Sequence, residues 1–216
     1  TQAPKYGRDD AGADARALRV MELLSEETWK YETRATGRQF GPGMLSWNYW
    51  VGDGYILPAS PDGRPKDRFL SNAICPVDGA DLKGPTANAN SVGKALGGKV
   101  AGGKVAGDAG AGGGDWDGYR NLLPNGASHT ISFNPALIKK PENKAKFKAF
   151  LRGYALNGGT ALQVNMLDPE VLRDAQKRPA DYRHLLVRVT GYNAYFTSIG
   201  KELQDEVIAW IAHEEL

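Results

Sequence analysis

Apolar side chains recur at three- and four-residue steps along two long stretches of the chain, which predicts amphipathic helices there. The first stretch covers residues 10–34, and the aspartates at residues 9–10 lie at the end where the helix dipole favours carboxylates. The second stretch covers residues 142–157. A last helix is predicted near the C-terminus from its apolar positions, which are Leu203, Val207, Trp210 and Ile211.

A further short helix has clear signals at both ends. Asp168 is a good N-cap residue, and Pro169 follows it at the first helical position, where proline is favoured. We expect this helix to run to about Lys177 and to stop before Pro179, since the residue that precedes a proline disfavours helical geometry.

Short apolar or alternating segments predict strands between these helices, at residues 44–51, 128–134, 161–167 and 185–189. The first of them is rich in aromatic residues, which favours a strand over a helix. From residue 128 onward strands and helices alternate. This order predicts an α/β architecture with parallel strands.

The two faces of the later strands differ in polarity. Apolar residues occupy one face, whereas Gln163, Asn165, Arg188 and Thr190 fall on the other. A parallel sheet covered on both faces would be apolar on both. Two architectures fit the pattern: a barrel whose polar residues face a ligand-holding lumen, or an antiparallel sheet that is partly solvated.

Composition narrows the class of protein. The chain has 216 residues, of which 41% are apolar and 24% charged, as in an ordinary globular protein with a sizeable core. The net charge of +2 gives no sign of nucleic-acid binding, and no apolar run is long enough to cross a membrane. One cysteine and three histidines exclude an internal disulfide framework and argue against a structural zinc site. The chain begins without methionine, and we interpret it as part of a longer polypeptide.

Glycine is unevenly distributed. Residues 97–114 form a low-complexity stretch of glycine, alanine, lysine and valine with a short repeat. Glycine and alanine have little to pack and lose much backbone entropy on ordering. We expect a mobile surface loop here, dividing the chain into two parts that still share one core.

The most informative segment is a strand that runs into Gly191, an aromatic loop and a helix. As a generic pattern it is an ordinary strand–turn–helix in which Gly191 supplies a positive φ. The residues are more specific, because Arg-Val-Thr-Gly-Tyr at residues 188–192, followed by Gln-Asp-Glu-Val-Ile at residues 204–208, closely resembles the C-terminal signature of glycyl radical enzymes. Further blocks resemble the family in order and in kind, at residues 4–10, 61–64, 84–92 and 174–183. Only residues 97–120 lie outside the resemblance.

The resemblance implies the C-terminal portion of a ten-stranded α/β barrel, with the radical loop near the C-terminus. It divides the chain into the last part of the barrel domain, residues 1–127, and a glycyl radical domain, residues 128–216. Gly191 would be the catalytic residue that stores the radical. Arg188, Thr190 and Tyr192 would support its loop.

Two more positions join the candidate site. Gln163 and Asn165, on the polar face of their strand, would face the barrel lumen. The family's radical cysteine would lie upstream of this chain, so Cys75 is not assigned to the site. A buried thiol is the ordinary role of a lone cysteine.

The resemblance also implies partners and cofactors. A radical S-adenosylmethionine activating enzyme with an iron–sulfur cluster would install the radical as a modification, and no cofactor or metal would be bound by this chain. The other partners would be the rest of the catalytic chain, a second copy in a homodimer and small accessory subunits, with neither nucleic acid nor membrane involved. A cytoplasmic enzyme of anaerobic metabolism is expected.

The subfamily is a finer expectation. Residues 70–79, 125–130 and 191–196 look most like the alkylsuccinate synthase branch, which adds an alkane carbon to fumarate. Diol dehydratases, choline lyases, arylacetate decarboxylases and formate acetyltransferases are the competing branches. A stand-alone subunit that replaces a damaged radical domain in a partner enzyme is the alternative from another class.

Overall fold

The computed structural model describes residues 3–46, 49–61, 63–77, 79–97, 99–101, 119–189, 191–209 and 212–213. Within these ranges the helices are α1 (Ala11–Thr28), α2 (Tyr49–Ile56), α3 (Pro85–Leu96), α4 (Ala136–Lys139), α5 (Pro141–Leu156), α6 (Pro169–Lys177) and α7 (Lys201–Ala209). The strands are β1 (Lys99–Ala101), β2 (Tyr119–Asn121), β3 (Ser128–Phe133), β4 (Ala161–Met166), β5 (Leu186–Arg188), β6 (Asn193–Tyr195) and β7 (Ala212–His213). Short 3-10 turns lie at Pro179–Tyr182 and Phe196–Ser198.

A parallel sheet with the strand order β4–β3–β7 lies in the second half of the chain. In its register Thr130 lies beside Gln163 and Ser132 beside Asn165, so the polar positions of the two strands share one face. The predicted parallel pairing is therefore confirmed for β3 and β4.

The prediction of parallel strands is wrong for the strand at 185–189. Its central part, β5, pairs antiparallel with β6 as a hairpin. The physical reason is the length of the connection. Val189 and Tyr192 face each other with two residues between them, whereas a parallel partner needs a crossover of a dozen residues or more.

The helix ends largely follow the predicted capping chemistry. The Asp10 carboxylate accepts from the backbone N–H groups of Gly12 and Ala13, at 3.0 and 2.9 Å, and Asp168 accepts from that of Glu170 at 3.0 Å. The helix predicted over residues 10–34 ends at Thr28 instead. Beyond it the chain turns back on itself, as shown by an antiparallel bridge between residues 32 and 39.

The strand predicted at residues 44–51 is wrong. Met44 makes an isolated bridge to Ala127, residues 47–48 lie outside the described part of the chain, and helix α2 begins at Tyr49. Tertiary packing decides this segment. In α2 Gly54 lies so close to the Arg68 backbone that a Cβ would come within 2.5 Å of the Arg68 carbonyl oxygen. Such contacts outweigh the strand preference of aromatic residues.

Two groups of buried side chains form the interior of the described residues. The first, here called the scaffold cluster, packs α1, α3 and α5 against the apolar face of β3 and β4; its buried members include Met21, Val92, Leu96, Leu122, Ile131, Phe133, Phe150 and Tyr154. The second, the hairpin cluster, joins α2, α6 and α7 to the β5–β6 hairpin through Trp50, Val51, Phe69, Leu172, Ala175, Val187, Val189, Phe196 and Val207.

The glycine-rich stretch at residues 97–114 lies mostly outside the described residues. Strands β1 and β2 pair antiparallel on either side of residues 102–118. The predicted domain boundary after residue 127 stays a prediction, and each of the two clusters takes residues from both sides of it.

Candidate functional site

Gly191 lies at the tip of the β5–β6 hairpin. The Val189 backbone N–H donates to the Tyr192 carbonyl oxygen at 2.9 Å, which closes a two-residue connection made of Thr190 and Gly191. The φ angle of Gly191 is +76°, in the left-handed region that glycine enters at little cost. A glycine is thus suited to this turn by its backbone conformation, as the sequence predicts.

The Cα of Gly191 faces open space among the described residues. Gly191 is exposed, and a Cβ built on it would meet no heavy atom of the described part of the chain within 4 Å. Packing within the described residues therefore does not exclude a side chain here. This position is accessible to another segment or another protein.

The side-chain amide of Gln163, on β4, makes several hydrogen bonds to the hairpin. Its Oε1 accepts from the Gly191 backbone N–H at 3.4 Å and from the Arg188 Nε–H at 3.2 Å. Its Nε2 donates toward the carbonyl oxygens of Arg188 and Val189, each at 3.2 Å. Both ends of one amide group therefore contact the segment that holds Gly191.

Asn165 lies two residues along the same strand and the same face. It is buried, its Oδ1 lies 3.2 Å from Gln163 Nε2, and its Nδ2 donates toward the Arg188 carbonyl oxygen at 3.5 Å. The period of two along β4 places both amides toward the hairpin. That they face a barrel lumen stays a prediction.

The structure brings together four of the six predicted site residues, namely Gln163, Asn165, Arg188 and Gly191. Thr190 lies outside the described residues. Tyr192 is partly buried against the hairpin cluster, and its carbonyl oxygen closes the turn.

Beneath the turn the hairpin is apolar. Val187, Val189 and Phe196 are almost fully buried, whereas Tyr195 is 51% exposed. The Phe196 backbone N–H donates to the Leu185 carbonyl oxygen at 2.8 Å, which fixes the base of the hairpin. The buried side chains of Val187, Val189 and Phe196 therefore anchor the hairpin in the hairpin cluster.

Sequence reasoning missed a buried polar contact in the hairpin cluster. The Trp50 indole N–H donates to Glu206 Oε1 at 2.7 Å, and the two residues are 3% and 1% exposed. This bond joins α2 to α7. The sequence carries one indication of this contact. Glu206 lies beside the apolar positions of α7, within the segment at residues 204–208 that resembles the family signature.

A second polar network lies on α6 and the turn after it. The Asp174 carboxylate accepts from the Arg178 guanidinium and from the Tyr182 hydroxyl, the latter at 2.5 Å. The hydrogen bonds from Arg178, and then from Tyr182, lower the pKa of Asp174 to about 2. This carboxylate therefore stays ionised and fixes the end of α6, and it is unsuited to proton transfer near neutral pH.

Cys75 is engaged with β3. Its Sγ accepts from the Thr130 backbone N–H at 3.2 Å and lies 3.6 Å from the Thr130 carbonyl oxygen. It is half-buried. These contacts are of the kind expected for a structural thiol.

Two kinds of feature are absent from the described ranges. No group of three or more histidine, cysteine, aspartate or glutamate side chains within those ranges is placed to hold a metal ion. Nor is any helix among the described residues both long and apolar enough to span a membrane.

Residues 119–197 match the model of the family described as "Glycine radical". A "probable dehydratase" of Escherichia coli is 32% identical over 98% of this chain and 24% of its own length. Indoleacetate decarboxylase of Tractidigestivibacter scatoligenes is 32% identical over 99% of this chain and 22% of its own length. The solved B12-independent glycerol dehydratase of Clostridium butyricum, in its glycerol-bound form, is 30% identical, with a TM-score of 0.79, over 99% of this chain and 24% of that chain.

The chain belongs to the glycyl radical enzyme family, and its fold corresponds to the C-terminal portion of that family's α/β barrel. It spans about a quarter of the length of the curated relatives it matches. Those relatives are a dehydratase and a decarboxylase, so the expected membership of the alkylsuccinate synthase branch is not supported.

Proposed function

We propose that this chain is the C-terminal part of the catalytic subunit of a glycyl radical lyase, of the dehydratase or decarboxylase type, and that Gly191 stores its radical. The observation that carries the proposal is the position of Gly191 at a hairpin tip, inside the segment matched by the glycine radical family, with its Cα facing open space.

Glycine suits a stored radical for a chemical reason. An unpaired electron on Cα is delocalised between the amide nitrogen, which donates electron density, and the carbonyl group, which withdraws it. This delocalisation needs a planar Cα, and a side chain would strain it against its neighbours. The open side of Gly191 leaves room for the hydrogen donor to approach.

The reaction is a relay of hydrogen atoms. The Gly191 Cα takes a hydrogen atom from a cysteine thiol outside this chain; the S–H bond breaks, the Cα–H bond forms, and the unpaired electron passes to sulfur. The thiyl radical then takes a hydrogen atom from the substrate. Returning that atom to the product radical regenerates the thiyl. The thiyl then takes a hydrogen atom back from the Gly191 Cα; the Cα–H bond breaks, the S–H bond forms, and the radical on Gly191 is restored.

The substrate class is proposed from the relatives. Elimination of water or loss of carbon dioxide from a substrate radical accounts for the activities in their names. Addition of an alkane to fumarate remains a second candidate, favoured only by the resemblance of residues 70–79, 125–130 and 191–196.

Partners belong to the same proposal. A radical S-adenosylmethionine activating enzyme would take the first hydrogen atom from Gly191. A homodimer, small accessory subunits and a cytoplasmic location stay predictions. A stand-alone radical-carrying subunit is the alternative, and a reading frame that continues upstream to a cysteine loop would exclude it.

Electron paramagnetic resonance on the full-length, anaerobically activated protein tests the assignment. We expect a doublet in the wild type and its loss in Gly191→Ala. Gly153→Ala is the matched control, because a Cβ there also meets nothing within 4 Å, and it should keep the doublet. A doublet that persists in Gly191→Ala would refute the role of Gly191. Assaying the active protein with diols, arylacetates, and fumarate plus an alkane would then distinguish the substrate classes.

A further inference from the structure

We propose that Gln163 is a positioning residue that holds the radical hairpin in its docked position through backbone hydrogen bonds, and that it thereby sets how readily the hairpin is released for activation. This inference rests on the proposed function, because release matters only if Gly191 is the radical site.

The contacts of Gln163 are concentrated on the turn. Its carbonyl oxygen accepts from the Gly191 N–H, and its amide nitrogen lies 3.2 Å from the carbonyl oxygens of both Arg188 and Val189. It also accepts from the Arg188 side chain at 3.2 Å. One side chain thus contacts the backbone on both sides of residue 190.

Asn165 fixes the orientation of that amide. It is 5% exposed, and its Oδ1 accepts from Gln163 Nε2 at 3.2 Å. This contact places Nε2 toward the hairpin carbonyls and Oε1 toward the Gly191 N–H. The pair on β4 is therefore preorganised for the turn, and the turn does not need to reorder it on docking.

The bonding pattern needs both a donor and an acceptor. Glutamate in place of Gln163 would keep an acceptor for the Gly191 N–H but would set a negative charge beside two carbonyl oxygens. Leucine would remove every hydrogen bond while keeping a similar size. Because the bonds run to backbone groups of the hairpin, their loss should act on the hairpin and leave β3 and β4 paired.

The consequence concerns activation. In the full-length protein the rest of the proposed barrel would cover the hairpin tip. The hairpin must then leave its place beside β4 before an activating enzyme can reach Gly191, and each bond from Gln163 opposes that step. Weakening these bonds raises the population of the released hairpin. The activating enzyme then encounters the released form more often, so radical formation accelerates.

The test compares Gln163→Leu and Gln163→Glu with Gln176→Leu in the full-length protein. Gln176 is the matched control, because its amide bonds to Gln204 and Asp205 and so joins α6 to α7 without touching the turn. Hydrogen–deuterium exchange is followed at the amides of residues 186–195 and of β3 and β4. The initial rate of doublet formation is measured with the activating enzyme under anaerobic conditions.

Gln163→Leu should exchange the Gly191 amide about tenfold faster or more, which corresponds to about 1.4 kcal/mol, with unchanged exchange in β3 and β4. Gln163→Glu should accelerate the exchange less, because its carboxylate strengthens the bond from the Arg188 side chain. The doublet should form faster in Gln163→Leu than in the wild type, and Gln176→Leu should do neither. Unchanged exchange at Gly191 in Gln163→Leu overturns the proposal, as does faster exchange spread equally over β3 and β4. If no doublet forms in the wild type, the proposed function fails, and the exchange data still decide whether Gln163 holds the turn.

Discussion

Two glycines, one packed between helices beside the scaffold cluster and one at the exposed tip of the hairpin, show how differently the two regions are built. In the scaffold cluster Gly93 lies on α3 against the end of α5, where a Cβ would come within 2.7 Å of Asn157 Cβ and 3.0 Å of its carbonyl oxygen. At the hairpin Gly191 has a left-handed φ, and a Cβ would meet nothing within 4 Å. Residue 93 must be glycine because the helices pack closely there. Residue 191 is suited to glycine because of its left-handed backbone conformation and its open surroundings.

The two faces of the β3–β4 sheet also make different kinds of contact. The apolar face of β3 and β4 is buried in the scaffold cluster, whereas the polar face contacts the hairpin through the amides of Gln163 and Asn165. Exposing buried apolar surface to water costs a large free energy, whereas an individual hydrogen bond contributes only about 0.5–1.5 kcal/mol. The hairpin has its own apolar packing in the hairpin cluster, and its contact with the polar face of β4 is made through hydrogen bonds.

The largest effect is expected from a cavity in the scaffold cluster. Phe133 is fully buried and makes edge-on contacts with Phe147 and Phe150, at ring-centre distances of 5.4 and 5.6 Å. Phe133→Ala should lower the free energy of unfolding by about 3–5 kcal/mol. Urea unfolding checks this, with the exposed hairpin residue Tyr195, changed to alanine, as the control that should cost far less. Equal losses for the two variants would break the comparison.

A polar contact inside the hairpin cluster comes next. Glu206→Leu leaves the buried Trp50 indole N–H without this acceptor, and we expect a loss of about 1–3 kcal/mol in the free energy of unfolding. Glu206→Gln retains an acceptor oxygen and should lose less. Urea unfolding monitored by tryptophan fluorescence measures both, and a leucine variant as stable as the glutamine variant would contradict the assigned role.

Substitutions of Gly93 and Gly191 compare the two regions directly. Gly93→Ala forces α3 and α5 apart and should cost about 1–3 kcal/mol, only partly offset by the better helix propensity of alanine. Gly191→Ala should cost about 1–2 kcal/mol from the left-handed φ alone. Gly191→Asn should cost less still, because asparagine tolerates this conformation. If Gly191→Asn proves as costly as Gly93→Ala in thermal unfolding, crowding at the hairpin tip has been underestimated.

The smallest effect concerns pH. The folded-state pKa of Asp174 lies near 2, below its ordinary value of 3.8, because Arg178 and Tyr182 stabilise the charged form. The stabilisation is complete above about pH 4 and is lost as the pH falls toward 2. Asp174→Asn should therefore flatten the fall of the urea midpoint between pH 4 and 2 relative to the wild type. An unchanged slope would show that the network contributes nothing to hairpin-cluster stability.

The sequence predicts local structure well where short-range chemistry decides it. The cap at Asp168, the strands β3 and β4 and the polar face with Gln163 and Asn165 all follow from spacing and residue type. Asp10 lies at the helix start, as the dipole favours, and the structure shows that it is also the cap. The helix α2 could not be predicted, because the close approach of Gly54 to the Arg68 backbone is a tertiary contact. The antiparallel pairing of β5 was missed because the prediction relied on the alternation of strands and helices. The two-residue connection to β6 is too short for a parallel crossover and points to a hairpin.

For the site, the family resemblance supplied Gly191, and alternation along β4 supplied the two amides. The alternation of polar residues along β4 could not predict that these amides bind the hairpin. They bond to backbone groups, which every residue carries, so the sequence of the hairpin does not reveal the contact. The Trp50–Glu206 bond was missed for a related reason: its partners are 156 residues apart in sequence.

The central claim is that the unpaired electron resides on the Cα of Gly191. Electron paramagnetic resonance of the full-length protein, prepared with glycine deuterated at Cα and activated in deuterated water, tests it most directly. The doublet arises from coupling to the one hydrogen left on that carbon, and deuterated water prevents the relay thiol from replacing the deuterium. Deuterium couples much more weakly, so the account predicts a single line in place of the doublet, and no comparable signal when Gly191 is alanine. A doublet of unchanged splitting in the deuterated protein would place the electron elsewhere and contradict the account.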